Sequence, residues 1–189
     1  MELIELLQYT FFQHALLGSL FASIACGIIG TYIVTRRLVF ISGGITHASF
    51  GGIGIGLYAG VSPILSAAVF SVLSAFGVEW LSKRSDMRED SAIAVFWTFG
   101  MAVGIIFSFL APGFTPDLSS YLFGNILTIT QSDIWMLAIL SGVLTLFFSI
   151  FLRPILAIAF DREFARSQRM PVAAFEYMLM MFIALTIVA

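Results

Sequence analysis

Long apolar runs constrain this chain more than any other feature. Phe12–Val34, Leu38–Gly60, Ile64–Leu81, Ser91–Ala111, Ile134–Leu152 and Val172–Ala189 are each dominated by apolar residues and nearly free of charge. About 20 such residues form a helix long enough to cross the hydrocarbon core of a bilayer. No water is available there to satisfy backbone polar groups, so each run must close its hydrogen bonds internally. The predicted architecture is therefore all-α, a polytopic membrane helical bundle with six spans in this chain.

Composition agrees. The chain is 60% hydrophobic and only 11% charged, where soluble domains carry about 25% charged residues. No long polar region leaves room for a soluble domain, and nothing suits a nucleic-acid partner. The net charge of -2 decides little, because placement of charge matters more than its sum in a membrane. The single cysteine, Cys26, lies in an apolar run; it excludes an internal disulfide and reads as a small packing residue. Residues 1–11 carry Glu2 and Glu5 and lack the basic start of a cleavable signal peptide. The first span is expected to direct insertion itself. No GxxxxGK[ST] sequence is present, so if transport here uses ATP, another chain hydrolyses it.

The cations test the span count. All nine fall in three groups. Arg36 and Arg37 follow the first span; Lys83, Arg84 and Arg88 follow the third; Arg153, Arg162, Arg166 and Arg169 follow the fifth. With six spans, the three groups land on one side, which the positive-inside rule makes cytoplasmic, with the N-terminus outside. The opposite connections, near Val61–Pro63 and Pro112–Asp133, contain no Lys or Arg. In the longer of them Pro112, Gly113 and Pro116 break the helix. Leu118–Leu127 is apolar but too short to cross, and reads either as a helix lying at the outer face or as a covered loop. Asp117 and Asp133 are outer-side carboxylates, either an entry funnel for cations or plain loop residues. His14 is expected at the outer interface, and Glu79 is expected to pair with Lys83 one helical turn on.

The inner connection Arg153–Pro171 reads RPILAIAFDREFARSQRMP. Pro154 suits the exit of the fifth span and Pro171 the first turn of the sixth. Between them Asp161, Arg162, Glu163, Arg166 and Arg169 alternate in sign around Phe160, Phe164 and Met170. A short amphipathic helix with both charges suits a docking surface, and equally an ordinary solvated loop. The chain stops at Thr186-Ile187-Val188-Ala189 without a polar flank. Spans usually end in interfacial anchors, so a fragment of a longer chain is expected.

The second span carries the chemistry. Gly44, Ala48, Gly52, Gly56 and Gly60 recur every four residues, a small-residue stripe that lets another helix approach closely. One residue round, Gly43, His47 and Gly51 form a parallel row. An ionisable group at membrane depth is costly, which makes His47 a candidate for a substrate, ion or proton path. Neutral imidazole ligates Zn, Fe, Ni and Cu well and Mn tolerably. Thr46 and Ser49 are near enough to add weak oxygen ligands. One histidine alone is not a metal site, although a symmetric copy would supply a second; the plain alternative is a histidine bonded to a neighbouring backbone carbonyl. A membrane-embedded enzyme using His47 with Ser42 or Ser49 is disfavoured, because those spacings do not bring the side chains together on one helix.

The run RRLVFISGGITHASFGGIGIG resembles the signature of the ABC-3 family, the membrane permeases of bacterial ATP-binding-cassette importers for zinc, manganese and iron. MREDSAIAVFWTFGMAVGI, DLSSYLFGNILTIT and FDREFARSQRMPV are similar to further motifs of that family, in the same order. The resemblance covers nearly the whole chain. It implies a type II importer permease fold over residues 1–189, C-terminally incomplete, in the bacterial cytoplasmic membrane. It implies a homodimer, a separate cytoplasmic ATPase and an extracytoplasmic metal-binding protein that delivers the cargo. No bound cofactor is implied; a divalent metal is the substrate. Residues 160–171 become the coupling loop, with Phe160, Asp161, Glu163, Phe164, Arg166 and Pro171 at the ATPase. His47 becomes the metal ligand. Two departures stand out. The family's acidic residue one turn before the histidine falls at Gly43, and its inner-loop glycine falls at Arg169-Met170. Losing the carboxylate disfavours manganese relative to a nitrogen-preferring ion, and leaves import of a chelated metal as the alternative.

Overall fold

The computed structural model describes residues 7–85, 87–112, 121, 124 and 126–189. Among these the α-helices are α1 (Thr10–Thr35), α2 (Val39–Ala59), α3 (Pro63–Ser85), α4 (Glu89–Leu110), α5 (Gln131–Phe160), α6 (Arg162–Ser167) and α7 (Val172–Val188). A 3-10 turn at Ile126–Thr128 precedes α5, and no strand occurs among the described residues. The expected outer-face helix at Leu118–Leu127 lies mostly outside the described residues, as does Asp117.

Five helices, α1 to α5, are long and apolar enough to cross a membrane. The expected sixth span, α7, has 17 residues. It runs to the last residues of the sequence, so five helices of spanning length stand where six were expected, with α7 a shorter apolar helix.

Local chemistry sets the ends. After α1, Arg37 takes a left-handed φ of 59°. The Arg37 amide donates to the Val34 carbonyl and the Leu38 amide to the Ile33 carbonyl, which is the Schellman closure usually built on glycine. The same turn closes α6, with Arg169 at φ 57° and amides of Arg169 and Met170 donating to Arg166 and Ala165. Arg169 therefore holds the backbone conformation for which the family's glycine is suited. Gly60 ends α2 at φ 68°. Thr130 and Asp133 form a capping box at the start of α5.

Pro154 does not end α5, although it follows a kink where the expected fifth span stops. α5 kinks at Phe151 (φ -105°, ψ 19°) and continues to Phe160. Proline removes the amide that would bond one turn back, so the helix breaks before it and restarts through it. The restarted turns are retained because Ile155 and Ile158 are buried.

α2 lies at the centre. Its main neighbours are α4 and α3, while α1 packs on α5 and α3 also meets α7. Of the α2 span 56% is buried, against 17% to 33% in the other four. Glycine makes this possible. A Cβ on Gly52 would fall 2.6 Å from the Ala67 Cα, and one on Gly54 would fall 2.8 Å from the Gly104 Cα. Ile29, Ile41, Ile45, Ile93, Leu144, Leu179 and Ile183 fill the space between the helices. The outer surfaces stay apolar, with Leu73, Phe109, Trp135, Ile139 and Leu146 exposed, as suits a lipid solvent.

Candidate functional site

His47 sits mid-way along α2, half-buried. Its ring stacks on Trp97 of α4, with centroids 4.5 Å apart and planes 10° from parallel. The Trp97 indole N–H donates to the Met101 sulfur, 3.2 Å away, which fixes the ring under the imidazole. His47 Nδ1 is buried and has no hydrogen-bond partner among the described residues. A buried nitrogen without a partner is costly, so the plain alternative of a carbonyl-bonded histidine is not what this ring nitrogen does.

Beside the stack a cleft of about 620 Å³ is lined by Arg37, Val39, Phe40, Gly43, Asp90 and Trp97. Gly43 leaves this cleft open. A Cβ there would meet only Trp97, at 3.5 and 3.7 Å. Among the described residues no three His, Cys, Asp or Glu side chains group closely enough to hold a metal ion. Asp90 is the carboxylate among the residues lining the cleft, and that lining does not include His47.

Thr46 and Ser49 do not join His47 as the sequence suggested. Their hydroxyls donate to the Ser42 and Thr46 carbonyls at 2.8 and 2.6 Å. Both line a different cavity of about 210 Å³ with Ile53, Ile64 and Ala67. The small-residue row divides too. Cβ atoms on Gly44, Gly52 and Gly56 would collide with Ile93, Ser66 and Ala67, and Pro63 and Ser66 respectively, and Ala48 backs onto Gly100. Gly60 is corrected: a Cβ there meets nothing within 4 Å. Its glycine serves the left-handed cap, not packing.

The inner loop folds as expected in outline. Asp161 caps α6, its carboxylate accepting from the Phe164 amide at 2.9 Å. Phe160, Glu163, Phe164 and Arg166 are exposed, Glu163 and Arg166 pairing at 2.9 Å, while Pro171 caps α7. Arg162 turns inward to Glu176 of α7. Burial pulls its guanidinium pKa down, but the carboxylates of Glu176, Glu79 and Glu89 together outweigh this and the net shift is upward.

Other candidates take structural roles. Glu79 and Lys83 form the expected pair at 2.7 Å. His14 Nδ1 lies 3.0 Å from the Ile129 carbonyl, joining α1 to the segment before α5. Asp133 is spent on the capping box rather than on a funnel. Cys26 is exposed on α1, so it does not pack within this chain. Sequence reasoning missed Trp97, Glu176 and the Gly100–Gly104 pair of α4. The last two had signals: an ionisable residue inside an apolar helix, and small residues four apart. Trp97 had none, because its stack on His47 is a tertiary contact.

The comparisons with known proteins fit this geometry. An uncharacterized membrane protein of Synechocystis is 41% identical over 186 residues, covering 98% of this chain and 66% of that one. A manganese transport system membrane protein, MntC, of Halalkalibacterium halodurans is 32% identical over 185 residues, covering 98% of this chain and 63% of that one. The chain thus spans less than two thirds of the length of these relatives. Among solved structures, PsaBC from Streptococcus pneumoniae in complex with Fab superposes with a TM-score of 0.77 at 27% identity, covering 99% of this chain and 69% of that one. Residues 8–189 match the ABC 3 transport family. With the motifs seated on α2, α4 and α6 and the match running almost end to end, the chain belongs to the ABC 3 transport family.

Proposed function

We propose that this chain is the membrane-spanning part of a permease that imports a divalent metal ion through alternating access, driven by a separate ATPase. The observation that carries the reading is His47: a half-buried imidazole at mid-span whose Nδ1 has no partner among the described residues. Such a nitrogen is a ligand in waiting. The family match supports the transport role. Two copies meeting at this face would bring two imidazoles to one ion, since coordination needs several ligands and one chain offers few. The exposed Phe160, Glu163, Phe164 and Arg166 supply the ATPase docking face, and an extracytoplasmic protein delivers the metal. The chain sits in the bacterial cytoplasmic membrane with its N-terminus outside, an orientation that the grouping of the cations supports.

The relatives' names favour manganese. The chemistry of Gly43 favours a nitrogen-preferring ion such as zinc, because no carboxylate accompanies the histidine. Uptake of Mn, Zn and Fe by cells carrying the complete transporter, with wild-type chain and with His47→Ala, decides both points. One metal whose uptake collapses in the variant is the substrate at His47. Undiminished uptake of every metal would remove His47 from the path. The open cleft at Gly43 supports a second reading, import of a chelated metal; uptake of the chelate but not of the free ion selects it.

A further inference from the structure

Glu176 lies 3% exposed in α7 and gathers cations from three other elements. Arg162 of α6 donates to it through Nε. Lys83 of α3 stands 2.7 Å away and Arg36, at the end of α1, 3.7 Å away. Lys83 also reaches Glu79 at 2.7 Å, and Arg162 reaches Glu89, the first residue of α4, at 3.5 Å. Arg36 donates in addition to the Ile158 carbonyl in α5 at 3.3 Å. Three cations and three carboxylates thus balance in one cluster that touches every described α-helix except α2. α6 has little else to hold it: its one buried side chain is Ala165, packed against Ile158 and Val172.

We propose that this cluster, with Arg162 and Glu176 at its centre, passes displacement of α6 to α1, α3, α4 and α7 as one body. Glu176 and Glu79 are buried, so the cations cannot leave them without stranding an uncompensated charge. The planar guanidinium fixes orientation as well as distance. α2 lies outside the cluster but is reached through α4, whose Gly100 and Gly104 meet the α2 backbone in close contact. A push on the exposed face of α6 therefore arrives at the helix that carries His47. Arg162 and Glu176 are positioning residues in this scheme, since neither touches the cargo. The inference rests on the permease reading above.

The test uses the full-length permease with its ATPase in nanodiscs and proteoliposomes. A fluorophore on Tyr58→Cys, at the exposed end of α2 and in a Cys26→Ser background, reports movement on adding ATP with vanadate. That readout is independent of cargo. Metal moved per ATP hydrolysed is the second readout. Glu176→Gln leaves the exposed docking side chains themselves unchanged and is compared with wild type at matched ATPase occupancy and hydrolysis rate. It is expected to abolish the fluorescence shift and to lower the metal moved per ATP hydrolysed. A shift and a ratio equal to wild type would overturn the proposal, and so would a wild-type complex that hydrolyses ATP without any shift. Should Glu176→Gln not assemble, Arg162→Lys keeps the charge and lacks the fork. A partial loss of shift and ratio supports the proposal; unchanged values sink it. A wild type that shifts yet moves no metal refutes the metal-importer reading alone.

Discussion

The seam between α2 and α4 rests on glycine, and adding a single methyl group there gives a calculable effect. In Gly100→Ala the new Cβ would stand 2.6 Å from both the Cα and the carbonyl oxygen of Ala48. Carbon atoms pack best about 3.5–4.0 Å apart, so the helices must part by about 1 Å. The obstructing atoms are backbone, and no side chain can swing aside. A gap of that size forfeits about a quarter to a half of each dispersion contact along the seam. Lipid tails are as apolar as leucine, so close packing rather than the hydrophobic effect holds membrane helices together. Overpacking of this kind costs about 1–3 kcal/mol, from which alanine's better helix propensity recovers roughly 0.5–1 kcal/mol. The net loss is centred on about 1 kcal/mol within a range of roughly 0–2.5, a fall in Tm of roughly 2–4 °C at the centre for a chain of this size. Thermal unfolding in nanodiscs, followed by tryptophan fluorescence, measures it. Gly142→Ala is the control, since a Cβ there meets nothing within 4 Å; its Tm should hold or rise. Equal Tm values for the two variants would show that the helices are not held at this distance by glycine.

Three further outcomes follow from the same geometry. Phe164 is 54% exposed on α6, so Phe164→Ala should leave Tm unchanged within the roughly 0.5 kcal/mol usual for surface sites. It should nonetheless weaken ATPase association in a pull-down, and undiminished association would remove α6 from the docking face. Gly43→Asp places a carboxylate in the cleft against Trp97 at ordinary contact distance and should raise manganese uptake relative to zinc, because a hard oxygen ligand is added; a ratio that does not move would place the metal elsewhere than between residues 43 and 47. Thr130→Ala removes the hydroxyl of the capping box, which costs about 1 kcal/mol. A denaturation midpoint indistinguishable from wild type would show that water caps α5 as well as Thr130 does.

Much of this was legible in the order of residues, for identifiable reasons. Apolar runs and their breaks report on the bilayer, which acts on each segment separately, so the spans could be read without knowing their neighbours. His47 stood out because an ionisable group at depth is exceptional whatever surrounds it. The failures are cases in which the place of a residue within its helix, or a neighbour, decides. Gly60 continues the four-residue period of the stripe, but the helix ends there and the turn claims the glycine. Pro154 looks like an exit, yet burial of Ile155 and Ile158 keeps the helix going beyond the kink. Thr46 and Ser49 flank His47 in sequence but turn to another cavity, because a helix sends adjacent side chains in different directions.

The cations show where the boundary lies. Charge placement put Arg36, Lys83 and Arg162 on one side of the bundle, and the structure brings one member of each group to a single carboxylate. A rule about sides is local: it needs only the spans between the groups. Convergence on Glu176 is not local, because residues 36, 83, 162 and 176 belong to four different elements. Glu176 still carried a signal of its own. A carboxylate in the first turns of an apolar helix demands compensation, and the three inner cation groups were the nearest source on that side. The same logic that singles out His47 therefore points to Glu176, and the structure treats the two differently: His47 Nδ1 has no hydrogen-bond partner among the described residues, whereas Glu176 is surrounded by cations where α6 joins the bundle.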